Sequence, residues 1–169
     1  GMILGNFVEG VKVSGVDFSG GPFDWATGFS VMTGMAVVFG YALLGSTWLV
    51  MKTEDITQAW ARKVGSYVLG FVGIFMGLVS ITVPFIDERI RSFWFETPNL
   101  YYLMPIPLLT IGLFALIWKD LYIKKAEYRP FLSSIGIFFL GYLGLGLSFF
   151  PWIVPFHYTI WDAAASSPG

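Results

Sequence analysis

Four long stretches of the chain contain no Asp, Glu, Lys or Arg: 25–51, 64–86, 97–118 and 130–161. Each is about 22 residues or longer, enough for a helix to cross a hydrocarbon core of roughly 30 Å. The chain therefore reads as an all-α integral membrane protein, a bundle of four transmembrane helices over about 25–51, 58–86, 103–123 and 130–150. Residues 1–24 read as an extracytoplasmic lead-in, and residues 25–169 as the bundle with an extracytoplasmic tail.

Composition leads to the same solvent. Charged residues make up 12% of the chain, against about 25% in an ordinary soluble domain. That is too few to clothe a water-facing surface. The 17 Phe, 8 Tyr and 7 Trp suit both lipid contact and the headgroup interface. A net charge of −1 gives no reason to expect nucleic acid or an acidic substrate. Without Cys there is no disulfide framework, thiolate cluster or thiol chemistry.

Sidedness follows from the basic residues. Lys52, Arg62 and Lys63 flank the first connection, and Lys119, Lys124, Lys125 and Arg129 flank the third, so seven of the ten Lys and Arg fall on one side. Lys12, Arg89 and Arg91 fall on the other. Basic residues favour the cytoplasm. Both ends of the segment are accordingly expected outside, with Asp17, Asp24, Asp87, Glu88, Glu96 and Asp162. No basic stretch followed by an apolar run and a cleavage site opens the chain, so a signal peptide is not expected, and a cut through a longer protein accounts better for its start.

Small residues are phased within the spans. Ser66, Gly70, Gly73, Gly77 and Ser80 recur at four, three, four and three, which places them on one helix face. Thr33, Ala36, Gly40 and Thr47 in the first span and Ser134, Gly141, Gly144 and Ser148 in the fourth are similarly placed. Lipid supplies no hydrophobic drive for helix association, so close approach through small side chains is expected, as ordinary bundle packing rather than a dedicated Gly73-x-x-x-Gly77 dimer motif. Prolines mark the outer side. Pro84 closes the second span, Pro105 and Pro107 open the third, and Pro151 and Pro155 break the chain after the fourth. On the inner side Thr53, followed by Glu54 and Asp55, has the pattern of a helix start, a capping hydroxyl with carboxylates in the first turn.

The inventory of reactive groups is thin. Ionisable residues at mid-bilayer usually mark function, and none lies deep in a span. There is no phosphate loop, no paired carboxylate on a helix face and no inferable catalytic triad, so no catalytic or metal-ligating residue is assigned. His157 is the one His. It is read as an interfacial side chain, with axial haem ligation the rival. Asp162, after the anchor Trp161, is read as the cap of a following helix, with proton access or subunit docking the rival. The candidates for those roles are Trp161, Asp162, His157, Thr53, Glu54 and Asp55.

Three local patterns then stand out: Gly5-Asn6 with Gly10-Val11; Tyr41-Ala42-Leu43-Leu44-Gly45-Ser46-Thr47-Trp48-Leu49 with Lys52-Thr53; and Ile160-Trp161-Asp162-Ala163-Ala164 with Ser166-Ser167. On these the chain resembles subunit II of cytochrome bd, the bacterial quinol oxidase family that includes the cyanide-insensitive type. The resemblance runs over the whole chain in order. It implies a larger subunit of about eight helices, of which these would be the fourth to seventh, in the bacterial inner membrane. It also implies a haem-bearing partner, subunit I, that holds haem b and haem d and oxidises quinol. This segment would bind no haem, would contact membrane lipid, and leaves open whether it holds a quinone. Half of a small-molecule transporter is the alternative, since packed spans with broken helices occur there too; an assembly factor or structural anchor is a third class.

Overall fold

The computed structural model describes residues 1–9, 13–14, 17–18, 26–86, 88–95, 97, 99–123, 126–149, 152–154 and 158–159. Helix α1 (Met2–Glu9) precedes a short antiparallel pairing of β1 (Val13–Ser14) with β2 (Asp17–Phe18). Four long helices follow: α2 (Gly28–Lys52), α3 (Asp55–Ile86), α6 (Pro105–Ile123) and α7 (Tyr128–Phe149). Between α3 and α6 lie the short α4 (Glu88–Phe95) and α5 (Asn99–Leu103). A second short pairing, β3 (Trp152–Val154) with β4 (Tyr158–Thr159), follows α7. Gly28–Lys52, Asp55–Val83, Tyr101–Ile123 and Tyr128–Ser148 are long and apolar enough to span a membrane. This is an all-α membrane protein.

The helix ends follow local chemistry. Thr27, extended at φ −80° and ψ 163°, caps α2 by accepting the Ser30 N–H at 3.0 Å. Pro105 opens α6, where its missing N–H and fixed φ cost nothing. Pro130 lies in the first turn of α7 and is fully buried.

Helix α2 packs against α1, α3 and α7, while α6 bridges α3 and α7. The long helices thus close into a four-membered ring. Its core is Leu43 and Val50 from α2, Ala61, Leu69 and Val72 from α3, Ile117 and Leu121 from α6, and Ile137 from α7. A smaller cluster around Phe29 and Val83 includes Trp94 and Leu145. Phe39 of α2 stacks on Phe71 and Phe75 of α3, with ring centroids 4.9 and 5.5 Å apart.

Close approach uses different glycines from those the spacing marks on α3. Gly65 is the tight point: a Cβ there would lie 3.1 Å from Ser46 Oγ and 3.4 Å from Leu121 Cδ1. Of the phased set, Gly73 meets Phe114 at 3.5 Å, but Gly70 and Gly77 have nothing within 4 Å. The seam with α2 and α6 runs along Ala61, Gly65, Leu69 and Val72, rotated by about 100° from the small-residue face. Bulk filled against α2 outweighs the chance of backbone contact through glycine. The other two sets do meet neighbours. Gly40 faces the Phe138 ring at 2.6 Å from a built Cβ, Gly141 faces Met76 at 3.5 Å and Gly144 faces Ile106 at 3.7 Å.

Candidate functional site

The turn between α2 and α3 is made of Thr53 and Glu54, and it corrects the reading of Thr53 as a helix-starting cap. With only two residues between the helices, Thr53 has to terminate α2. Its N–H and its hydroxyl both donate to Leu49 O, at 2.9 and 2.7 Å. The chain then reverses through Asp55, whose φ of 50° lies in the left-handed region that Asp tolerates better than most residues. The Gln58 amide reaches back to Val50 O at 3.0 Å and Thr53 O at 2.9 Å, pairing carbonyls that α2 leaves open. Asp55 does stand in the first turn of α3, where a carboxylate suits the helix dipole. Glu54 and Asp55 are exposed. His157, Trp161 and Asp162 lie outside the described residues, so the turn is the one part of the candidate set whose geometry is described.

At the same end of the bundle the structure assembles a charged cluster that span-by-span reading passes over. Arg62 of α3 is 5% exposed and Asp120 of α6 is 2% exposed. Arg62 Nη1 donates to the backbone oxygen of Asp120 at 3.0 Å, and Nη2 donates to Ala126 O at 3.1 Å. The guanidinium therefore closes the C-terminal end of α6 and the α6–α7 connection at once, placing a cation where α6 presents its negative pole. The Asp120 carboxylate faces α7, with Arg129 Nε 3.4 Å from Oδ2. That contact is an ion pair without hydrogen-bond alignment, because Asp120 Oδ2 and Arg62 Nε have no hydrogen-bond partner. Helical phase carries the signal that would have found the cluster. Asp120 lies three residues beyond buried Ile117 and beside buried Leu121, and Arg62 lies between buried Ala61 and Gly65.

The opposite end is organised around α1. Thr27 Oγ1 donates to Glu9 Oε2 while accepting the Ser30 N–H, so the carboxylate of α1 fixes the cap of α2 and sits at its positive pole. Gly5 makes the crossing possible, since a Cβ there would lie 2.0 Å from Thr33 Oγ1 and 2.7 Å from Ser30 Cα. This explains in physical terms one residue of the Gly5-Asn6 pattern. Farther on, Trp94 Nε1 donates to Ser148 Oγ at 2.8 Å and ties α4 to α7.

Among the described residues, no group of three or more His, Cys, Asp and Glu could hold a metal ion. The chain's one imidazole, on His157, lies outside the described residues. Glu9, Arg62, Asp120 and Arg129 are engaged with a helix cap, backbone carbonyls or each other, an arrangement that fixes helices. The family model of cytochrome bd terminal oxidase subunit II matches residues 1–168, and the chain belongs to that family. No curated protein matches the chain.

Proposed function

We propose that this respiratory-oxidase chain acts as an accessory membrane subunit, packing against a haem-bearing subunit I and supporting electron transfer from quinol to oxygen. The observation that carries the reading is the family match from one end of the chain to the other. The haems b and d belong, on this reading, to the partner, as does the quinol-oxidising loop. What this chain contributes is a packed bundle with its ends tied down, by Arg62 and Gln58 on one side and by Thr27, Glu9 and Trp94 on the other. A quinone held by this chain remains part of the proposal without assigned residues.

The same reading places the protein in the bacterial inner membrane. The excess of Lys and Arg around the α2–α3 and α6–α7 connections supports a cytoplasmic position for them, with both ends of the segment outside. Trp161, Asp162, His157, Thr53, Glu54 and Asp55 are proposed for proton access or subunit docking, and this segment is proposed as part of a subunit of about eight helices.

The test is to purify the full-length parent protein through an affinity tag from its native membrane and record a reduced-minus-oxidised spectrum. Haem b and haem d bands travelling with a second, larger subunit are expected, and Asp162→Asn is then the first variant to assay. A spectrally silent homomer would sink the proposal.

A further inference from the structure

Helix α4 lies on the connection between the second membrane span and the third. The second span ends at Val83 and the third begins at Tyr101, so α4 lies at the level where hydrocarbon gives way to headgroups. It packs against α3, α5 and α7, and the bond from Trp94 Nε1 to Ser148 Oγ fixes how it is turned. Glu88, Arg91, Ser92 and Phe95 share one face of the helix, because residues three, four and seven apart stand above one another. Together they line an open cleft of about 290 Å³. Glu88, Arg91 and Phe95 are exposed, and among the described residues no ion pair joins Glu88 to Arg91.

Whole small molecules usually occupy pockets of about 300–1,000 Å³ that enclose most of their surface. This cleft is at the bottom of that range and open, so it suits one end of a molecule whose bulk lies elsewhere. Along α4 its lining runs from a carboxylate, through a guanidinium and a hydroxyl, to an aromatic ring, over about 10 Å at 1.5 Å per residue. A phospholipid with an ethanolamine headgroup has the complementary order: ammonium, phosphate, glycerol, acyl chains. We propose that this cleft holds the headgroup of an ethanolamine phospholipid, with Arg91 donating to the phosphate, Glu88 accepting from the ammonium and Phe95 against the start of the acyl chains. Arg91 supplies the stronger contact, since a guanidinium can meet a phosphate with two parallel N–H bonds. Glu88 selects the lipid. A glycerol headgroup answers Arg91 but brings no cation to the carboxylate, and a choline headgroup has no N–H to donate. Exposed Tyr101 and Tyr102 on the adjoining α5 suit the same layer. The site depends on the membrane spans and not on the oxidase reading.

The test uses the full-length protein in the complex in which it purifies, freed of lipid in detergent and titrated with phosphatidylethanolamine or phosphatidylglycerol, bound lipid being counted by native mass spectrometry. A site that prefers phosphatidylethanolamine is expected. Arg91→Gln should weaken it about tenfold, as loss of a charge-assisted hydrogen bond does. Glu88→Gln should abolish the preference and leave phosphatidylglycerol binding no weaker. If Glu88 served only the dipole of α4, its loss would lower stability and leave headgroup preference unchanged. The proposal is overturned by no preference in the unaltered protein, by a preference that survives Glu88→Gln, by an affinity unchanged in Arg91→Gln, or by a polypeptide segment of a partner seated in the cleft in a cryo-electron microscopy map of the complex. If one variant fails to assemble, the other and the unaltered protein still decide, since each carries an outcome that overturns it.

Discussion

Thr47 of α2 and Ser134 of α7 face each other with their hydroxyl oxygens 3.1 Å apart, both fully buried, 87 residues apart in sequence. Each hydroxyl has one proton and more than one claim on it: Thr47 Oγ1 also reaches Leu43 O at 2.8 Å and Leu44 O at 3.1 Å, and Ser134 Oγ reaches Phe131 O at 2.7 Å. The contact is a seam between helices that have no hydrophobic reason to meet. Thr47→Val keeps the volume and removes the bond. It is expected to destabilise the complex by about 0.5–1.5 kcal/mol, the range of interhelical hydrogen bonds in membranes. Thermal unfolding of the purified complex measures this, and combining it with Ser134→Ala should cost less than the two singles added.

Gly5→Ala places a methyl where Thr33 Oγ1 and Ser30 Cα already stand. Overpacking of this kind costs about 1–3 kcal/mol, and here the cost falls on the docking of α1. Faster amide exchange over residues 2–9 is the expected readout. Gly45→Ala, with nothing within 4 Å of the new methyl, is the control and should leave the exchange unchanged.

The reversal at Asp55 predicts different effects from two substitutions. At φ 50° a β-branched residue is strained whereas glycine is not. Asp55→Val should destabilise by about 1–2 kcal/mol, on the scale of the left-handed penalty, and Asp55→Gly should be close to neutral. Thermal melts of the complex distinguish them; equal losses would mean that the carboxylate, and not the backbone, matters at this position.

Arg62→Leu leaves the Asp120 and Ala126 carbonyls without their donors and removes a cation from beside a buried carboxylate. Breaking a buried charge cluster from one side costs about 3–5 kcal/mol. Assembly yield and melting temperature should fall sharply. Adding Asp120→Leu should recover part of the loss, because the uncompensated anion goes with it.

Span-scale order was legible because a run without charge is a local, additive property, and the hydrocarbon core tests length and charge one segment at a time. Helix facing was not. Around a membrane helix, lipid and protein interior are equally apolar, so Gly65 and Gly70 look alike until α2 fills the groove beside Gly65. The same blindness hid Arg62, which counts in the sequence only as a basic residue flanking the first connection, and Asp120, which no sequence motif singles out. Thr53 eludes local reading for a related reason: its hydroxyl has two helix ends within reach, and the two-residue turn settles which one it serves.

The sequence alone therefore determined that four segments cross a membrane as helices, and its local patterns pointed to the family. Only the tertiary structure decided which face of each helix is buried, and that α6 and the α6–α7 connection are clamped to α3 through a guanidinium on two carbonyls. That decision depends on shape and hydrogen-bond complementarity between residues far apart in the chain, such as Arg62 with Ala126, which no window of sequence contains.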